Sequence, residues 1–177
     1  MFSISRRTCL KMLVVLPIAA RAGQVIPDRH RIVAINWAAA ETLLSLGVTP
    51  LAISDSHYFR QRIPRPLLPD SVQDIGPFWE PNLEMLAALR PALIISDALP
   101  AAVMTKMAAI APVETVTAFA TSGDLWQALH DWTGQLGAHL EVPFQATHWL
   151  QQVDTAMDTD REHTSELQSL AYLVCRL

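Results

Sequence analysis

The stretch RIVAIN at residues 31–36 decides the fold class of this chain. It is a short run rich in β-branched residues without an internal glycine or proline, which predicts a buried strand. Residues 38–46 then place alanine and leucine mostly on one helical face, and Gly47 stands where such a helix ends. A buried strand followed at once by a helix is the first half of a β-α-β unit.

The alternation of strand and helix continues along the chain. Further strands are predicted at residues 51–54, 73–75, 92–95 and 113–117, and further helices begin near residues 80, 101, 123 and 144. The segment 55–71 contains Pro64, Pro66 and Pro69, so we expect a long irregular loop there. The order of elements predicts an α/β fold with a mostly parallel sheet flanked by helices.

Aromatic and basic residues concentrate at one edge of the predicted sheet. Ligands of open parallel sheets bind beyond the carboxyl ends of the strands, and the loops at those ends hold a large share of the aromatic residues. This concentration predicts a shallow pocket for a bulky ligand, although Phe59 and Trp79 could instead pack beneath the loops as core. The candidate ligand-binding residues are Trp37, Tyr58, Arg60, Arg62, Phe78 and Trp79.

Residues 1–22 have the organisation of an export signal. Arg6 and Arg7 precede the apolar run 12–20, and a small-x-small cleavage pattern follows at residues 20–22. The segment resembles a twin-arginine signal, and the alternative is an ordinary Sec signal with a chance arginine pair. Because the apolar run is far shorter than the roughly 20 residues that span a bilayer, we expect no membrane insertion of the mature chain.

The charge of the chain argues against a nucleic-acid partner. Residues 1–22 hold four of the 13 basic residues and none of the 17 acidic ones, so the mature chain carries a net charge of −8. Nucleic-acid binding uses a basic surface. Cys175 is the only cysteine after residue 22, which excludes an internal disulfide and a cysteine metal site.

The sequence lacks the common motifs of catalysis and of metal binding. There is no G-x-S-x-G elbow, phosphate-binding loop or HExxH pair, and His57 has no second ligand at metal-binding spacing. An exported α/β hydrolase is the alternative class, for which Ser54, Ser56 and His57 are the only nearby candidates. Neighbours on a strand point to opposite faces and no acid is placed to orient the imidazole, so we expect no enzyme, no catalytic residues and no metal site.

Short motifs give the chain a family resemblance over roughly residues 28–160. They are, in chain order, RIVAINW (31–37), ETLL (41–44), LGVTP (46–50), LPDSV (68–72), DIG (74–76), EPNLE (80–84), RP (90–91) and IAP (110–112). Together they resemble the periplasmic ferric hydroxamate-siderophore-binding proteins. The PDSV and EPNLE segments are the more specific part, whereas the strand with its Leu-Gly pair is shared with the wider class that binds cobalamin and haem.

The resemblance implies two α/β lobes, joined by one long helix, with the ligand held between them. It places the N-terminal lobe in residues 23–142 and the start of the connecting helix in residues 143–160. Residues 161–177 contain EHTSELQS, which looks like a translated sequencing adapter, so we expect a non-native tail; the alternative is a natural amphipathic tail. If the second lobe is missing, residues 23–177 alone should bind a siderophore weakly or not at all.

The resemblance also implies roles for particular residues. Trp37 matches a family tryptophan that lines the cleft. The family's hydroxamate-binding arginine aligns with Phe78, a ligand-contacting tyrosine aligns near Pro100, and a second cleft tryptophan aligns with Arg62. Because these three positions depart from the family pattern, Arg60 or Arg62 is expected to supply the charge that meets the hydroxamate oxygens.

The function implied is that of the substrate-binding component of an ABC importer. It would capture an iron(III)-siderophore in the periplasm, as a monomer, and deliver it to an inner-membrane permease. The acidic residue by which the family docks its permease aligns near Thr105, another departure. Iron would be carried inside the siderophore, so no cofactor is expected. A cobalamin- or haem-binding transport protein is the alternative.

Overall fold

Five parallel strands organise the part of the molecule that the structure describes. The computed structural model describes residue 28, residues 31–116 and residues 124–174, with side-chain surroundings up to residue 159. The strands lie in the order β3-β2-β1-β4-β5 and every pairing is parallel, which confirms the predicted fold class. The strands are β1 (Ile32–Ala34), β2 (Ala52–Ile53), β3 (Gln73–Asp74), β4 (Leu93–Ser96) and β5 (Val113–Thr115).

Six helices occur in the described part of the chain, and in three of them the polar side chain of the residue just before the helix caps its N-terminus. Asn36 Oδ1 accepts a hydrogen bond from the Ala39 N–H at 2.8 Å, while Asn82 and Asp124 cap two later helices in the same way. The helices are α1 (Trp37–Ser45), α2 (Ser56–Arg62), α3 (Leu83–Leu89), α4 (Ala101–Ala108), α5 (Leu125–His139) and α6 (Pro143–Val174).

The segment 55–71 is partly helical, so the prediction of one long irregular loop was wrong for its first half. The helix α2 ends at Arg62, before the first of the prolines that suggested a loop. Its first N–H, at Ser56, donates to Asp74 Oδ2 at 2.7 Å. The cap thus comes from the neighbouring strand β3, which no local sequence pattern indicates.

Each face of the sheet carries its own apolar cluster. Ile32 and Ala34 belong to one cluster and Val33 and Ile35 to the other, because successive strand residues point to opposite faces. The first cluster extends into α1, α2, α5 and α6, and the second extends into α3 and α4. Helices therefore cover both faces and leave the carboxyl edge of the sheet for the loops.

Helices α5 and α6 pack closely against one another. A Cβ added at Gly137 would overlap with the side chain of Ala146, so this crossing requires glycine. The helix α6 continues past residue 160, where the connecting helix was predicted to give way to a non-native tail, and is described as far as Val174. The expected export signal, residues 1–22, lies outside the described residues. None of the described helices combines the length and the apolar character needed to cross a membrane.

Candidate functional site

A cavity of about 580 Å³ lies at the carboxyl edge of the sheet. Its walls come from the segments that follow four successive strands in the chain, β1 to β4, as expected for a ligand site in a parallel sheet. The lining residues are Ile35, Asn36, Trp37 and Ala38 after β1, Asp55, Tyr58 and Arg62 after β2, Phe78 and Trp79 after β3, and Asp97 after β4.

Five of the six predicted ligand-binding residues line this one cavity; Arg60 does not. Arg60 Nη2 donates to the Pro69 carbonyl at 3.1 Å, and its Nε lies 3.9 Å from Asp70 Oδ1. Tyr58 and Arg62 are four residues apart on α2 and share a face, whereas Arg60 lies between them on another side of the helix. The helical phase of α2 thus separates the two arginines.

Trp37 is held in a fixed orientation at the start of α1. Its Nε1–H donates to the Ser54 carbonyl at 2.8 Å, and its ring meets Phe59 edge-on, with centroids 5.7 Å apart. Phe59 is fully buried, so for this residue the alternative of core packing is the correct one. Trp37 therefore presents a rigid apolar surface to the cavity.

Three further rings are exposed at the cavity mouth. Phe78 and Trp79 contact each other edge-to-face at 5.0 Å and are 44% and 60% exposed, and Tyr58 is 54% exposed. Trp79 is thus not part of the core. Large aromatic side chains left in solvent around a cavity are typical of a binding surface.

Three polar lining residues, Asn36, Asp97 and Asp55, were not selected from the sequence. Asn36 Nδ2 donates to Asp97 Oδ1 at 2.6 Å, which joins the ends of β1 and β4. Asp55, at the start of α2, is the third; its backbone adopts φ 47°, in the left-handed region. All three lie in segments at strand ends, which is the one signal that could have indicated them.

Asp74 ties two walls of the cavity together. Its Oδ2 accepts hydrogen bonds from the N–H and the hydroxyl of Ser56, both at 2.7 Å, and its Oδ1 accepts from the Gly76 N–H at 2.7 Å. Partial burial acts to raise the pKa of Asp74, but hydrogen bonds from Ser56, Gly76 and the His57 backbone outweigh it and hold the pKa below its ordinary 3.8. The carboxylate thus stays ionised and anchors both α2 and the loop after β3.

The hydroxyls considered for hydrolysis are engaged away from His57. Ser54 Oγ donates to the Ile35 carbonyl, Ser56 Oγ donates to Asp74, and His57 Nε2 lies 3.0 Å from Gln61 Nε2. These three residues do not form a nucleophile–base pair. Among the described residues, no group of three or more His, Cys, Asp or Glu could hold a metal ion.

Comparison with known proteins assigns the chain to a family. The profile of the family described as "Periplasmic binding protein" matches residues 32–175. The chain is 38% identical over 100 residues to the iron(3+)-hydroxamate-binding protein FhuD of Escherichia coli, covering 54% of this chain and 33% of that protein. It is 33% identical over 75 residues to the putative ABC transporter substrate-binding lipoprotein YhfQ of Bacillus subtilis, covering 41% of this chain and 23% of that protein.

A solved structure resembles the fold over a larger part of the chain. The siderophore-binding protein FhuD of Vibrio cholerae, solved with Fe³⁺-Desferal bound, superimposes with a TM-score of 0.64 at 27% identity. The match covers 80% of this chain and 52% of that one. The chain therefore spans a third or less of these two curated relatives and about half of this structure.

Proposed function

The chain belongs to the periplasmic binding protein family, and on that premise we propose that it serves an ABC importer by capturing an iron(III)-siderophore of the hydroxamate type. It holds the siderophore in the periplasm and delivers it to a permease in the inner membrane. It acts by binding and release and is not an enzyme. The names of the Escherichia coli and Vibrio cholerae relatives support this choice of ligand.

The observation that carries the proposal is the meeting of four aromatic rings and one guanidinium at a single cavity. A ferric hydroxamate is a bulky organic shell with oxygen acceptors on its surface. Rings supply apolar contact area for such a shell, and a guanidinium donates to its oxygens. Arg62 is the arginine that lines the cavity and can donate to these oxygens. The iron stays inside the siderophore, so the protein needs no metal ligands of its own.

The proposed arrangement assigns a role to each part of the chain. Residues 1–22 direct export, by the twin-arginine route, and residues 23–142 form the N-terminal lobe. Residues 143–160 begin the helix that leads to a second lobe, which supplies the opposite wall of the cleft, and residues 161–177 are a non-native tail. The mature protein works as a monomer without membrane insertion. One lobe alone binds with a dissociation constant weaker than about 1 μM, because half of the contacts are missing.

Tryptophan fluorescence tests the proposal directly, since Trp37 and Trp79 line the cavity and ferric hydroxamates quench nearby indole emission. The chain is titrated with ferrichrome up to millimolar concentration, and saturable quenching is expected. Arg62→Ala should weaken the apparent affinity by about 5-fold, which corresponds to one charge-assisted hydrogen bond. Arg60→Ala is the matched control, because it removes the same charge from the same helix outside the cavity.

Two results would contradict the proposal. Saturable quenching by haem or cobalamin, with none by millimolar ferrichrome, would exclude a hydroxamate ligand and favour the alternative ligand class. Equal weakening by Arg60→Ala and Arg62→Ala would show that the cavity is not where the siderophore binds.

A further inference from the structure

The charged side chains that line the cavity carry more negative than positive charge. Among the described residues that line it, Asp55 and Asp97 bring two carboxylates and Arg62 brings the single guanidinium. Within residues 31–116 and 124–159, the side chains of Asp55 and Arg62 have no hydrogen-bond or ion-pair partner. An occupant of the cavity therefore meets a surface of net negative charge on which both signs remain available for pairing.

Asp97 is the carboxylate with the better-defined position. Asn36 Nδ2 donates to Asp97 Oδ1 at 2.6 Å, and the other end of the same amide, Asn36 Oδ1, accepts from the Ala39 N–H at 2.8 Å. The amide is fixed at both ends and so fixes the carboxylate. Only one oxygen of Asp97 is used in this contact, which leaves Oδ2 available to a ligand.

The aromatic lining favours the same kind of group as the carboxylates. The face of an aromatic ring attracts a cation through the ring quadrupole, and four rings share this cavity with Asp97. In a hydroxamate ligand the hydroxamates neutralise the iron(III), so the chelate itself carries no charge. A cation in such a ligand is therefore a protonated amine on the organic shell.

We propose that Asp97 sets the charge preference of the cavity and selects ferric hydroxamates that carry a protonated amine over neutral or anionic ferric chelates. Arg62 donates to the chelate oxygens, while Asp97 accepts from the ammonium group and Asp55 adds to the negative field. This inference rests on the proposed function, because it presupposes that the cavity binds a ferric hydroxamate.

A matched pair of ligands isolates the charge. Ferrioxamine B, whose linear hydroxamate ligand ends in a primary amine, is a cation at neutral pH, and its N-acetyl derivative is neutral with the same iron chelate. Both are titrated into the full chain by tryptophan quenching. Ferrioxamine B should bind about 5-fold more tightly, and added salt should reduce that ratio because the pairing is electrostatic.

The substitution Asp97→Asn removes the charge and keeps an oxygen that can accept from Asn36. It should bring the ratio between the two ligands to about one through weaker binding of ferrioxamine B, with the affinity for the N-acetyl form changed by less than about 2-fold. A wild-type ratio near one, or an Asp97→Asn variant that keeps the preference, would overturn the inference and leave the proposed function intact. Failure of both ligands to quench would instead overturn the proposed function.

Discussion

Replacement of Asp74 by alanine removes the carboxylate that joins α2 to the loop after β3. Three hydrogen bonds at 2.7 Å are lost, two from Ser56 and one from the Gly76 N–H. Asp74 is exposed, so each bond contributes toward the lower end of the usual range, and the sum is about 2 kcal/mol. For a chain of this size, that loss lowers the melting temperature by about 4–8 °C.

The contribution of Asp74 should also depend on pH. Its pKa lies below the ordinary 3.8 in the folded protein, so the folded state binds this proton less tightly than the unfolded state does. The stabilisation is therefore complete above the ordinary pKa and is lost as the pH falls through the lowered value. The difference between the wild type and Asp74→Ala should be constant near neutral pH and shrink below about pH 4.

Urea unfolding followed by circular dichroism measures both effects, at pH 7 and at pH 3. Asp70→Ala is the matched control, because Asp70 is fully exposed and its only ion-pair contact in the described residues is Arg60 at 3.9 Å. The same proteins are then titrated with ferrichrome, and Asp74→Ala should bind more weakly since α2 carries Tyr58. If Asp74→Ala loses no more stability at pH 7 than Asp70→Ala, the reasoning about this anchor is refuted.

Three further substitutions probe the helix crossing, a half-buried carboxyl group and the cavity mouth. Gly137→Ala should destabilise the protein by about 1–3 kcal/mol through overlap with α6, whereas Gly134→Ala, which has open space, should stabilise it by about 0.5–1 kcal/mol; thermal unfolding compares the two. Burial raises the pKa of Glu41 above its ordinary 4.5, so its ionised form opposes folding, and Glu41→Gln should raise the urea midpoint at pH 7 and leave it unchanged at pH 3. Trp79→Leu should weaken ferrichrome binding about 5-fold, while Phe144→Leu, which alters a ring that is 78% exposed away from the cavity, should leave quenching titrations unchanged.

The strands and the location of the cavity could be predicted because both follow from short-range patterns. Central strands such as β1 and β4 are continuous apolar runs, since both faces of a parallel sheet are covered. The position of a ligand site then follows from topology, because the carboxyl ends of parallel strands lie at one edge. Trp37 and Trp79 could be selected from the sequence because each lies in a segment that directly follows a predicted strand.

The remaining features depend on contacts between residues that are distant in the chain. Arg60 and Arg62 are equivalent in a loop, and only the helical conformation of α2 distinguishes them. That helix is itself capped by Asp74, 18 residues from Ser56. The pair formed by Asn36 and Asp97 spans 61 residues, and polar residues at strand ends are too common for their pairing to be read from one sequence.

The four walls of the cavity have separate origins in the chain, and this separation bears on how such proteins diversify. Each wall is a segment that begins where one strand ends, and most of its lining side chains lie outside the buried clusters that hold the sheet together, Ile35 being an exception. A change in a single segment can thus alter one patch of the recognition surface while folding is preserved. Evolution can therefore change which molecule is captured in small steps, through insertions or replacements in individual loops, on an inherited scaffold that tolerates them.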